Sequence, residues 1–150
     1  MRAVVQRVSS ASVTIGGHIH ASIGPGFLVL LGIEEADDEK DLNFLVGKIT
    51  QMRVFSDTEG KMNLDLKDTG GELLVISQFT LHASTKKGNW PSFIKAAKPE
   101  KARPLYDRFI KACEDQTGQH VKGGVFGADM KITLVNDGPV TILLDSKNKE

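Results

Sequence analysis

Phe27-Leu28-Val29-Leu30-Leu31-Gly32-Ile33 is an unbroken apolar run of strand length. A strand that alternated between core and solvent would show a polar residue at every second position. A run without one predicts a strand covered on both faces, hence a central strand with material packed on either side. Before it, the Val- and Ser-rich stretch from Val4 to Val13 meets Gly16-Gly17 and then Ile19 to Ile23, which predicts a hairpin closed by Gly24-Pro25-Gly26. Pro25 is expected to be trans, as an ordinary turn proline.

Two helices are expected outside this sheet. Leu42, Leu45, Ile49 and Met52 are spaced three, four and three apart and draw one apolar stripe. The acidic stretch Glu34 to Asp41 precedes it, and carboxylates suit the positive end of a helix dipole, so the run is read as a cap and a solvated face rather than a metal site. Ala102, Leu105, Tyr106, Phe109, Ile110 and Cys113 form a second stripe, with Pro99 in its first turn and Pro104 expected near its start. Between the helices, turns are expected at Asp57–Gly60 and Asp68–Gly71, with a short strand at Met62–Leu66. Leu73-Leu74-Val75-Ile76 forms another strand. His82 to Ala97 has no period and reads as a long loop. The segment from His120 to Leu144 returns to strands, with corners at Gly123-Gly124 and Gly138-Pro139. The expected architecture is a single α+β domain over residues 1–150, β-rich, with a curved or barrel-like antiparallel sheet and two main helices packed outside it.

At 150 residues and 40% hydrophobic content, the chain can bury a core without disulfides. Its one cysteine, Cys113, falls on an apolar stripe and is expected to be an inert core thiol in a reducing compartment, with the cytoplasm as the default location. The opening Met1 to Arg7 alternates like a strand and lacks a signal-peptide core, and no segment approaches the roughly 20 apolar residues that span a bilayer. Nineteen basic residues balance nineteen acidic ones, so no global field marks a nucleic-acid partner. The local picture differs: Lys86, Lys87, Lys95, Lys98, Lys101, Arg103, Arg108 and Lys111 stand against only Glu100 and Asp107. A phosphate backbone would be met there, with Trp90 and Phe93 either stacking a base or anchoring the loop in the core.

Conventional catalytic groups are scarce. His18 and His20 lie two apart on a hairpin strand without a third ligand at metal spacing. Thr80 is the obvious hydroxyl nucleophile, and the only nearby base is His82, two residues away and on the same face if the strand continues. Alternatively, Ser77 and Thr80 only satisfy backbone groups at a strand end.

Ser77-Gln78-Phe79-Thr80-Leu81 at the end of a strand, and Asn136-Asp137-Gly138-Pro139-Val140-Thr141 between two others, carry a resemblance. With the Arg2 to Arg7 opening and Gly123-Gly124-Val125-Phe126-Gly127-Ala128-Asp129-Met130, they make the chain resemble the D-aminoacyl-tRNA deacylase family along nearly its whole length. The resemblance implies hydrolysis of the ester that joins a D-amino acid, or glycine, to tRNA. The implied partners are aminoacyl-tRNA and a second copy of the chain, each active site being completed at the dimer interface, with no cofactor, metal, DNA or membrane. It implies that Ser77, Gln78, Phe79, Thr80 and Leu81 line the aminoacyl site and offer backbone amides to an oxyanion, and that Phe126 and Met130 hold the terminal adenine. Gly138 and Pro139, joined by a cis bond and supported by Arg7, would exclude L side chains by collision with a rigid backbone corner. The family's proposed mechanism uses the RNA 2′-hydroxyl to help activate water, with Thr80 as nucleophile the alternative. The competing readings are a non-enzymatic RNA-binding module and a Thr80/His82 hydrolase of small D-amino esters.

Overall fold

The computed structural model describes residues 1–150. Strand β1 (Arg2–Ile15) turns through Gly16-Gly17 into β2 (His18–Ile23), and β3 (Gly26–Gly32) follows. Helix α1 (Glu39–Gln51), the short strands β4 (Phe55–Ser56) and β5 (Met62–Leu64), and the one-turn helix α2 (Leu66–Thr69) lead to β6 (Glu72–Ser77). A 3₁₀ turn (Phe79–His82), helix α3 (Pro99–Thr117), β7 (Lys122–Gly123) and β8 (Lys131–Asp145) complete the chain.

The main sheet runs β2-β1-β3-β6-β7, and β8 pairs with β1 along nearly its whole length. It curls into a barrel-like form: Lys122 Nζ reaches the Ser22 carbonyl at 2.6 Å and the Gly24 amide bonds Glu72 Oε1 at 3.0 Å. The sheet is mixed rather than antiparallel throughout, because β6 runs parallel to both β3 and β7. Each of these pairs is joined by a long connection carrying a helix, α1 or α3, and such a crossover returns the chain in the same direction.

The apolar runs of β3 and β6 are covered on both faces. Phe27, Val29, Leu31, Leu73 and Val75 pack toward the helices with Ala3 and Val5, whereas Leu28, Leu74 and Ile76 point into a second core with Val8, Ala11, Val13 and Ile23. On the helical side α1 buries Leu42, Leu45, Val46 and Ile49, and α3 buries Ala102, Leu105, Tyr106, Phe109 and Cys113. Pro104 is the sixth residue of α3 rather than near its start, and it is exposed; the helix continues through it. Burial pushes the Cys113 thiol up to about 12, which keeps it a protonated core group.

The acidic run is only partly a solvated face. Asp38 caps α1 in a reciprocal box with Asp41, but Asp37 and Asp41 are buried. Asp37 pairs with the Met1 amino group, which also donates to Ser146 Oγ at 2.8 Å, and Lys147 Nζ bonds Asp41 at 2.8 Å. Ser146 and Lys147 thus clamp the start of α1 from across the chain. Leu66–Thr69, read as the end of a strand and a turn, is a helical turn because Asp65 and Asp68 cap each other's backbone amides. No helix is long and apolar enough to cross a membrane.

Candidate functional site

At the end of β6 the Gln78 amide still bonds the Leu31 carbonyl of β3, at 2.8 Å. The chain then leaves the sheet, and Phe79–His82 coil into the 3₁₀ turn. The turn lies directly on Gly32: a Cβ there would come within 2.9 Å of Leu81 Cβ and 3.0 Å of the Gln78 carbonyl. Arg2 fastens it from the other side, donating to the Leu81 carbonyl at 2.9 Å while also pairing with Asp145 at 2.9 Å.

This geometry separates Thr80 from His82. Thr80 is exposed, and its hydroxyl accepts from the Gln78 side-chain amide. His82 is buried, neither ring nitrogen has a hydrogen-bond partner, and the nearest charge is Glu34 Oε2, 3.6 Å from Nδ1. The expected shared face required an extended strand; in a tight turn, residues two apart diverge, so the arrangement is not a nucleophile-base pair.

Ser77, Gln78 and Phe79 form one wall of a cavity of about 320 Å³. Phe126, Gly127, Ala128, Asp129 and Met130 form the opposite wall, and Ile76 and Ile132 also line it. Two segments some fifty residues apart in sequence thus meet across one cleft. Gly124 makes the closure possible, because a Cβ there would lie 2.4 Å from Met130 Sδ. Phe126 is held between Tyr106, its ring centroid 6.2 Å away, and the Arg103 guanidinium at 5.4 Å. Tyr106 is fixed in turn by donating to the Val75 carbonyl at 2.7 Å, and burial raises its hydroxyl to about 12. Sequence reading missed Ile76, Ile132 and the supporting role of Arg103; their signal is their adjacency to named motif residues and to the basic stretch. Asp129, the cavity's one acidic side chain, is exposed and paired with Lys131 at 3.0 Å.

Thr80 and Leu81 do not line this cavity. Leu81 lines a second one, of about 450 Å³, with Arg2, Phe44, Leu143, Leu144 and Lys149.

Gly138 and Pro139 also lie off the first cavity, at an outward bulge of β8. Gln6 of β1 pairs with Thr141 while Val8 pairs with Asn136, so β8 has surplus residues between its two partners and they leave the ladder as a corner. The Gly138-Pro139 bond is cis, and Gly24-Pro25 is trans. Asn136 clips the base of the corner, donating to Thr141 Oγ1 at 3.0 Å and accepting from the Val140 amide at 3.1 Å. Arg7 reaches the corner from β1, bonding the Asp137 carbonyl at 2.9 Å and the Val54 carbonyl.

The long loop is pinned at its base by paired backbone bonds between Ser84 and Ser92, 2.8 and 2.9 Å. Phe93 packs edge-on against Phe79, with centroids 5.1 Å apart, but Trp90 is 89% exposed and does not anchor the loop in the core.

Comparison with known proteins points to one family. The D-Tyr-tRNA(Tyr) deacylase family matches residues 4–145. A D-aminoacyl-tRNA deacylase of Cytophaga hutchinsonii is 62% identical and one of Bacteroides thetaiotaomicron 60%, each over all 150 residues and the full length of both chains. Among solved structures, a c-Myc DNA unwinding element binding protein superposes with a TM-score of 0.91 at 44% identity, covering 97% of this chain and 98% of its own. A structure described as a probable eukaryotic D-amino acid tRNA deacylase shares the fold, with a TM-score of 0.81 at 17% identity, covering 95% and 97%. With a family match over nearly the whole sequence and full-length relatives at this identity, the chain belongs to the D-Tyr-tRNA(Tyr) deacylase family.

Proposed function

We propose that this protein is a D-aminoacyl-tRNA deacylase that hydrolyses the ester between a D-amino acid, or glycine, and the terminal ribose of tRNA, and that it rejects L-aminoacyl-tRNA. Water adds to the ester carbonyl carbon, the bond from that carbon to the ribose oxygen breaks, and the ribose oxygen takes a proton. The products are the free amino acid and tRNA. The deacylase names of full-length relatives at 60% identity and above support the reaction.

The observation that carries the site assignment is the cleft between Ser77-Gln78-Phe79 and Phe126–Met130. In this reading Phe126 and Met130 hold the terminal adenine, and Ser77, Gln78 and Phe79 receive the aminoacyl group with Thr80 at the edge of the cleft. The amides of Phe79 and Thr80 open the 3₁₀ turn, where no earlier carbonyl of the turn accepts from them, and they serve the developing oxyanion. Gln78 and Leu81 amides are already engaged, to Leu31 and Gln78 carbonyls. The cleft lacks a paired acid and base, which favours the RNA 2′-hydroxyl as the group that helps activate water.

Gly138 and Pro139 lie away from the cleft of their own chain, which favours a homodimer in which each corner enters the partner's site. Backbone carbonyls then face the amino acid's α-carbon, an L side chain collides with them, and a D side chain or glycine hydrogen does not. No cofactor or metal takes part in this scheme, and the reaction belongs in the cytoplasm, where aminoacyl-tRNA is used.

The name of the 44%-identical relative records DNA-element binding, which keeps nucleic-acid binding without turnover as the second reading. Deacylation of matched D-Tyr-tRNA and L-Tyr-tRNA, with and without chelator and against spontaneous hydrolysis, decides between them. Rapid chelator-insensitive loss of only the D form is expected. Retained tRNA binding without turnover would replace deacylation with a binding role.

A further inference from the structure

Residues 85–91 form an arm that leaves the molecule beside the cleft. The Ser84–Ser92 bridge closes its base, and Phe93, immediately after the base, packs against Phe79 of the cleft wall. A second tie follows, as the Ala97 amide bonds the Ile33 carbonyl at 2.9 Å at the end of the loop. The arm is therefore held in register with the site, yet its apolar tip faces solvent: Trp90 is 89% exposed, and Ile94, just past the base, is 91% exposed. Cations flank them along the chain. Lys86, Lys87, Lys95 and Lys98 form no ion pair, whereas Arg108 and Lys111 of the same basic stretch are paired with Glu39 and Asp115.

An unpaired cluster of lysines beside an exposed indole is complementary to an anionic chain of flat rings. Lysines attract phosphates without reading sequence, and an aromatic face stacks any base. Residues 85–95 contain no Asp or Glu, so nothing on the arm itself offsets this positive charge.

We infer that the arm is a second RNA contact, in which Trp90 stacks on a base of the acceptor end beyond the terminal adenosine and Lys86, Lys87 and Lys95 meet the adjoining phosphates. The inference rests on the tRNA-deacylase reading of the cleft. It adds a reason why a cleft built for one aminoacyl-adenosine would distinguish a tRNA from a free amino-acid ester.

Trp90 is the chain's one tryptophan, so its fluorescence reports on the arm directly. The protein is titrated with deacylated tRNA and, separately, with adenosine monophosphate. Saturable quenching by tRNA but not by the mononucleotide is expected, and Lys86→Ala/Lys87→Ala should flatten the salt dependence of tRNA binding by about 1.5 units of log–log slope. In turnover, Trp90→Ala should raise KM for D-Tyr-tRNA about tenfold with little change in kcat, and Trp90→Phe should recover most of the loss. The ratio of kcat/KM for D-Tyr-tRNA over that for D-tyrosyl-adenosine should fall by the same factor. Emission indifferent to saturating tRNA overturns the inference, as does a Trp90→Ala variant that loses both substrates equally or changes only the oligomeric state. Because the titration needs no turnover, a protein that quenches but never cleaves would retain the arm and refute the deacylase reading instead.

Discussion

Arg7 Nε donates a hydrogen bond of 2.9 Å to the carbonyl oxygen of Asp137, so a side chain of β1 holds the backbone one residue before Gly138. The same guanidinium bonds the Val54 carbonyl, and the side chain is only 11% exposed. Arg7→Ala removes both bonds and should destabilise the fold by about 1–3 kcal/mol. The proposed filter predicts a further effect: the ratio of D- to L-Tyr-tRNA cleavage should fall at least about tenfold. Unaltered discrimination in a folded Arg7→Ala protein would remove Arg7 from the filter.

Gly138 carries a second, steric prediction. Its φ is +134°, and a Cβ there would lie 2.8 Å from Val140 Cγ2 and 2.9 Å from Arg7 Nη2. Gly138→Ala should therefore push the corner off Arg7 and cost about 1–3 kcal/mol. Thermal unfolding checks the stability, and paired D and L assays check the filter. Wild-type behaviour in both would mean that the corner yields without consequence.

Thr80 tests how water is activated. With His82 buried and its ring nitrogens unbonded, no base stands ready to activate the Thr80 hydroxyl. Thr80→Ala should keep kcat on D-Tyr-tRNA within about tenfold of wild type, a loss compatible with the missing bond to Gln78. A drop of several orders of magnitude with tRNA binding intact would restore Thr80 as the nucleophile. A terminal 2′-deoxyadenosine substrate should, conversely, be cleaved far more slowly.

The clamp on α1 predicts a pH dependence. Burial pushes the Asp41 carboxyl up, but hydrogen bonds from Lys147, Ser146 and the Asp38 amide outweigh it and hold the group well below the usual carboxylate range. A carboxyl depressed in the folded state stabilises the fold above its unfolded value of about 3.9 and loses that contribution as pH falls toward the folded value. Lys147→Met should lower the melting temperature at neutral pH, yet lose less stability than wild type as the pH falls below about 5. Parallel curves for the two proteins would show that Lys147 does not set the Asp41 ionisation.

Local patterns exposed the hairpin at Gly16-Gly17, the doubly buried run Phe27–Gly32 and the stripes of α1 and α3, because each is decided by neighbours in sequence. The direction of β6 was not legible as such, although Leu73–Ile76 is as apolar as β3 and long apolar runs are typical of parallel strands. The local sequence leaves open whether the strand continues past Ser77; the turn there packs against Gly32, more than forty residues earlier, and His82 lies in the core. Asp37 and Asp41 are buried in ion pairs, and Ser146 in a hydrogen bond to the Met1 amino group, between distant parts of the chain, which composition cannot show. The motif residues were recognisable by resemblance; that Ser77–Phe79 face Phe126–Met130 while Gly138 and Pro139 stand apart required the fold.

The pairing of β1 with β8 joins the two ends of the chain, Ala3 opposite Leu144 and Thr14 opposite Lys131. Closing so large a loop is entropically costly and slows folding relative to a fold built from local contacts. On the ribosome, β1 would wait beside β2 and β3 with one edge unpaired until the last strand emerged. The corner at Gly138 and its Arg7 brace would form in that same final step, so any nascent fragment stopped after α3 would expose a sticky strand edge and lack the corner on which the proposed filter depends.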